Sequence, residues 1–161
     1  MRDATPPGPD IVLLADDDRE IVFAAGIRLR AAGYRTVSAH DGNAAVAAAI
    51  SVHPAAIVID VRMPHKDGLA ALAELKRRTD TRDIPVVVLS ASIIDEQRAL
   101  DAGARYFLKK PHRGEMLVKA VSLAISDCRA VVNPHQGASH ETALSRPPSD
   151  DGQPHAYHPV H

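Results

Sequence analysis

A doubly wound α/β fold, a parallel sheet with helices on both faces, is predicted by three observations. Short β-branched runs alternate with helix-length segments five times along the chain, the signature of successive βα units joined by right-handed crossovers. The first of these runs, Ile11–Ala15, is apolar throughout, as expected of a parallel strand covered on both faces. Polar side chains also stand where the apolar runs end: Asp16-Asp17-Asp18 after Ile11–Ala15, Asp60 after Ile57–Ile59, Ser90 after Val86–Leu89, and Lys110 after Phe107-Leu108.

The elements follow in order. Ile11–Ala15 is the first strand, and a helix runs from about Arg19 to Ala32, stopped by Gly33. Tyr34–Ala39 makes the second strand. Asp41-Gly42 turns into an Ala-rich helix that ends before Pro54. Ala56–Asp60 is the third strand, and beyond Pro64 a helix starts near Asp67-Gly68 and reaches about Thr79. Ile84–Ser90 is the fourth strand, followed by a helix from about Asp95 to Ala102, stopped by Gly103. Arg105–Leu108 is the fifth strand and Gly114–Cys128 the last helix. In that helix Leu117, Ala120, Val121, Ala124 and Cys128 fall on one stripe, with Lys119, Ser122 and Ser126 opposite.

The length, 161 residues, suits one domain with tails: a flexible N-terminus over 1–9, a domain over 10–129, and a disordered segment over 130–161. From Val131 onward the chain holds five prolines and five of its nine histidines with almost no apolar periodicity. Such a composition buries too little surface to offset its ordering entropy. The chain has 45% apolar residues to fill a core, but only 3% aromatics, so that core is Val, Ile, Leu and Ala. A formal net charge of −1 gives no general electrostatic attraction to nucleic acid or anionic membrane. Cys128 is the sole cysteine, which excludes an internal disulfide and fits a reducing compartment. Met1–Asp10 carries three prolines and no apolar core of a secretory signal. No apolar run approaches the roughly 20 residues that span a bilayer. The expectation is a cytoplasmic protein without membrane insertion.

In an open parallel sheet the carboxyl ends of the strands line one crevice, where ligands bind. The carboxylates Asp16, Asp17 and Asp60, the Ser90 hydroxyl and the Lys110 ammonium would then share one small volume. Acids held so close repel one another unless a cation lies between them, which reads as a divalent-metal site for phosphoryl chemistry. Each feature alone has a plainer reading. The acidic triplet can cap a helix, Ser90 can be a turn residue, Lys110 a solvated lysine, and Gly68 and Gly103 mere punctuation. Their joint occurrence at successive strand ends is what argues for a site.

Asp16-Asp17, Asp60 with Met63-Pro64 and Asp67-Gly68, Ser90-Ala91, Gly103-Ala104 and Lys110-Pro111 stand in order over about residues 10–128. As a set they resemble the receiver domain of two-component response regulators (CheY-like). The resemblance implies a five-stranded, flavodoxin-like sheet of order 2-1-3-4-5 with five helices. It implies Asp60 as phosphoacceptor, taking its phosphoryl group from a histidine kinase or histidine phosphotransfer protein. Mg²⁺ would be held by Asp17, by Asp16 through water, by Asp60 and by the Arg62 backbone carbonyl, an oxygen set that suits this ion. Lys110, after a cis Lys-Pro bond, and Ser90 would bind the phosphoryl oxygens, and Ser90 with Phe107 would form the switch. The implied protein is a phosphoacceptor rather than an enzyme. It would signal to a downstream protein target through a changed surface, without direct nucleic-acid binding. A homodimer through the fourth helix, fifth strand and fifth helix is the assembly the family allows.

Some residues depart from the family pattern. Ser90 stands where Thr is more common, His112 where Phe is common, and Arg62 is a long cation two residues beyond Asp60. On the first helix Ile21, Ala24, Ala25 and Leu29 match the family's core positions, which leaves Val22, Phe23 and Ile27 facing outward, where the family contacts its phosphodonor. The tail histidines have neither fixed spacing nor cysteine partners, so weak metal scavenging is expected of them rather than a specific site. Against the single-domain regulator stand a phosphate sink or relay with the same chemistry, and a protein-interaction module that is not phosphorylated. A metal-dependent phosphohydrolase is disfavoured because Arg62 occupies the place of a second acidic residue that would act as general acid.

Overall fold

The computed structural model describes residues 7–132. Its elements are β1 (Ile11–Ala15), α1 (Arg19–Ala31), β2 (Arg35–Ala39), α2 (Gly42–Val52), β3 (Ala56–Asp60), α3 (Gly68–Arg77), β4 (Val86–Ser90), α4 (Ile94–Asp101), β5 (Tyr106–Lys109) and α5 (Gly114–Val132). The strands form one parallel sheet of order β2-β1-β3-β4-β5. The winding therefore reverses between β1 and β3, and a crevice opens at the carboxyl ends of strands at such a switch point. Ala15 pairs with Ile59, so one further step along both strands brings Asp16 beside Asp60.

Alternate residues of each strand feed two cores. Leu13, Ala15, Ile57, Ile59, Val86 and Val88 pack with Ala45, Val46 and Ala49 of α2, with Leu69, Ala71, Leu72 and Leu75 of α3, and with Ala99 of α4. Val12, Leu14, Ala56, Val58, Val87 and Leu89 pack with Val22 and Leu29 of α1 and with Leu117, Ala120, Val121, Ala124 and Ile125 of α5. Burial on both faces explains why these strands are continuously apolar. Three helices start alike: the carboxylates of Asp18, Asp41 and Asp67 accept from backbone N–H groups of the first turns of α1, α2 and α3, satisfying donors that have no partner within the helix.

The first helix lies in a different phase from the expected one. Val22, Gly26 and Leu29 are buried, whereas Ile21 is exposed with Phe23 and Ile27, and Ala24 is exposed as well. Two stripes one residue apart both satisfy helical spacing, and on the Val22–Gly26–Leu29 stripe the glycine lies under the Arg30 guanidinium. The last helix runs to Val132, so residues 130–132 belong to the folded domain rather than to the tail. Extending a formed helix costs little per residue, and an ion pair from Arg129 to Asp10 ties its end to the chain just before β1. The rest of the expected tail, 133–161, and most of the expected flexible N-terminus, 1–6, lie outside the described residues. The fourth strand starts at Val86 rather than Ile84, because the Ile84 N–H closes the preceding turn on the Thr81 carbonyl at 3.0 Å and Pro85 has no N–H to offer a ladder.

Candidate functional site

The ends of β1, β3 and β5 deliver three charges to one point. Lys110 Nζ lies 2.8 Å from Asp16 Oδ2 and 2.9 Å from Asp60 Oδ1. Asp16, Asp17 and Asp60 each place one carboxylate oxygen within 4.8 Å of the others. Asp16 and Asp60 are buried, while Asp17 is exposed at the mouth. Backbone groups hold the acids in place: the Asp18 N–H donates to Asp16 Oδ1 at 2.9 Å, and the Arg62 N–H donates to Asp60 Oδ2 at 3.1 Å. The Lys110–Pro111 peptide bond is cis, as the family resemblance implies.

Burial pushes the Asp60 carboxyl above its ordinary value, against the pull of the Lys110 hydrogen bond. The Asp16 charge adds to the rise, while the Lys110 charge and the Arg62 N–H oppose it. For Lys110 burial works downward, yet its bonds to Asp16 and Asp60 outweigh burial and hold the ammonium above the ordinary lysine value. One cation thus balances three acids incompletely, and the acids remain close enough to repel. The three clustered donors are carboxylate oxygens, which a hard divalent cation prefers. The set fits Mg²⁺.

The loop that carries the site depends on one close approach. A Cβ at Gly68 would collide with the Asp60 carbonyl and crowd the Val61 Cα, and the Gly68 N–H donates to the Val61 carbonyl at 2.8 Å. Only glycine lets α3 begin directly against the end of β3.

Ser90 and Phe107 make no described hydrogen bond to Asp16, Asp17 or Asp60. Ser90 is buried at the end of β4, where its hydroxyl donates to Asp95 Oδ2 at 2.6 Å and accepts from the Ser92 N–H at 3.1 Å. Phe107 pairs with Val88 and is half-buried against the core shared by α2, α3 and α4. The Arg62 side chain is exposed and lines a cleft with Val61, Met63, Asp67, Asp95 and Arg98.

Two residues escaped sequence reasoning. Asp95 read only as the start of a helix; nothing in its spacing signals that it is buried against Ser90. His40 places Nδ1 3.0 Å from the Asp16 carbonyl, to which a protonated Nδ1 donates. It directly follows β2, so the rule that found the other site residues, a polar side chain after a strand, was also available for His40.

This geometry defines a flavodoxin-like α/β protein with an acidic pocket at its topological switch point. The model of the response regulator receiver domain matches residues 12–122, and the chain belongs to that family. It is 37% identical over 132 residues to the transcriptional regulatory protein PdtaR of Mycobacterium tuberculosis, covering 80% of this chain and 63% of that one. It is 33% identical over 139 residues to the DNA-binding dual master transcriptional regulator RpaA of Synechocystis, covering 85% and 56%. The chain therefore spans about three-fifths of the length of these curated relatives. Among solved structures, the receiver domain of the sensor histidine kinase PA1611 from Pseudomonas aeruginosa superposes with a TM-score of 0.69 at 29% identity, covering 74% of this chain and 99% of that one. That structure has a magnesium ion coordinated in its active-site cleft.

Proposed function

We propose that this chain is a single-domain response regulator that accepts a phosphoryl group on Asp60 from a histidine kinase or histidine phosphotransfer protein. The observation that carries this reading is the placement of Lys110 Nζ between the Asp16 and Asp60 carboxylates at the β1–β3 switch point. An Asp60 oxygen attacks phosphorus, the phosphorus–nitrogen bond of the donor breaks, and an acyl phosphate forms. Asp16, Asp17, Asp60 and the Arg62 carbonyl would hold Mg²⁺, which when bound offsets the charge of the acids and the transferring group. Lys110 then turns from Asp60 to the phosphoryl oxygens, which keeps its positive charge beside the group as it arrives. The Ser90 hydroxyl donates to one of those oxygens, and Phe107 follows it.

Donor docking is supported next to the site. A groove of about 420 Å³ runs from Lys110, Pro111 and His112 to Ile21, Ala24 and Arg28 of α1, with Phe23 and Ile27 exposed on the same helix. The output surface in this reading is α4, β5 and α5, where Ile93, Ile94 and Leu100 are exposed; a downstream protein or a second copy would bind there. No helix among the described residues is long and apolar enough to cross a membrane, and the proposed setting is the cytoplasm, as a phosphoacceptor without turnover of an external substrate.

The test is incubation with acetyl phosphate and Mg²⁺. One acid- and base-labile phosphoryl group per chain is expected, lost in Asp60→Asn. Equal labelling of Asp60→Asn would reject the assignment, and turnover of an external phosphoester would revive the hydrolase reading.

A further inference from the structure

Asp95 is a buried carboxylate that the phosphoacceptor reading does not use. It lies in the first turn of α4, where a carboxylate usually faces solvent and serves the helix dipole. Here it is only 5% exposed, and its described partners are not the backbone N–H groups of α4. Oδ2 accepts the Ser90 hydroxyl at 2.6 Å, and Oδ1 lies 3.4 Å from Arg98, a mostly exposed cation. No side chain caps this helix, whose N-cap residue is Ile93.

We propose that Asp95 is a positioning residue that latches the Ser90 hydroxyl to α4 and releases it when a phosphoryl group forms at Asp60; this rests on the phosphoacceptor reading above. A hydroxyl has a single proton. Once Ser90 donates it to a phosphoryl oxygen, Asp95 Oδ2 loses the one donor described for it, and a buried carboxylate left without its donor is costly. The first turn of α4 must then shift, either to wet the carboxylate or to bring it to another cation. The cleft beside it, about 450 Å³, is lined by Arg62 as well as Arg98, so a second guanidinium stands ready from the loop after Asp60. Phosphoryl binding and α4 movement thus become one equilibrium, because the same proton cannot serve both ends. Linkage requires the converse: a partner that favours the shifted α4 tightens phosphoryl binding by the same factor.

The experiment uses the full chain with Mg²⁺ and beryllofluoride as the phosphoryl mimic, read by affinity and by the amide resonances of residues 94–101. Asp95→Ala should bind beryllofluoride about tenfold more tightly, the scale of one lost hydrogen bond to a charged acceptor. Its α4 resonances should already lie toward their loaded positions before the mimic is added. In a Ser90→Ala background the Asp95→Ala gain should vanish, since no hydroxyl remains to be freed. Asp95→Asn, which keeps the shape and an accepting oxygen, should give a smaller gain and guards against misfolding of the alanine variant. Unchanged affinity in both Asp95 variants, or a gain that survives Ser90→Ala, overturns the latch while tight wild-type binding leaves the Asp60 reading standing. Failure of the wild type itself to bind beryllofluoride overturns both.

Discussion

Helices α3 and α4 pack side by side on the same face of the sheet, but they are held very differently. α3 buries Gly68, Leu69, Ala71, Leu72 and Leu75. It is capped by Asp67, which accepts from the Ala70 N–H at 2.7 Å, and is tied by the Lys66–Glu74 ion pair. Near its end Lys76 Nζ donates to the Arg82 and Ile84 carbonyls. α4 buries only Asp95 and Ala99, has no side-chain cap, and leaves Ile94 75% exposed. In the proposed mechanism the contrast separates a scaffold from a responder. α3 fixes the loop that carries Asp60, whereas α4 joins the site through Ser90 and Asp95 with little apolar packing to resist movement. Elements that move are drawn from the less stable end of a structure.

The comparison would break most visibly at Leu72. Leu72→Ala should cost about 2–5 kcal/mol of unfolding free energy in urea titration, the range for a fully buried leucine. A loss below about 1 kcal/mol would show that α3 is not the firm element.

Arg62, in the cleft between α3 and α4, sharpens the contrast by linking it to chemistry. Its guanidinium is expected to stabilise the acyl phosphate by a charge-assisted hydrogen bond, or to lie across the approach of water. Arg62→Ala should then shorten the phosphoprotein lifetime roughly three- to thirty-fold, for about 1–2 kcal/mol of barrier lost. Phosphate release at saturating Mg²⁺ measures it, and an unchanged or slower rate rejects the role.

The caps give a smaller effect. Asp67→Ala should destabilise the domain by about 1 kcal/mol, seen as a lower urea midpoint at unchanged slope. No comparable residue exists to remove at the start of α4, where Ile93 adopts helical backbone angles.

Leu100→Ala on α4 should change stability least, within about 0.5 kcal/mol, because Leu100 is 42% exposed and lies outside both cores. A cost matching that of Leu72→Ala would mean that α4 is anchored as firmly as α3, and the distinction would fall.

Much of this molecule was legible in its residues. The β3 strand, Ala56–Asp60, has the bounds that its apolar run and terminal acid predict, and α2 and α3 begin at the Asp-Gly pairs that mark them. These features are local: a cap, a turn glycine or a continuous apolar run acts within a few residues, so the chain itself displays them. The convergence of Asp16, Asp17, Asp60 and Lys110 was also legible, because parallel winding sends every strand's carboxyl end to the same edge.

What only the tertiary structure decided was which of two locally equal answers wins and which distant groups share a proton. The phase of α1 was open between two stripes one residue apart, and packing into the core shared with α5 put Val22 inward and Ile21 outward. The bond between Ser90 and Asp95 depends on where the loop after β4 lets α4 settle, and neither residue type nor spacing encodes that. Apolar periodicity reports burial averaged over a face, whereas a buried carboxylate is set by its one donor, and that donor is found only when two elements meet.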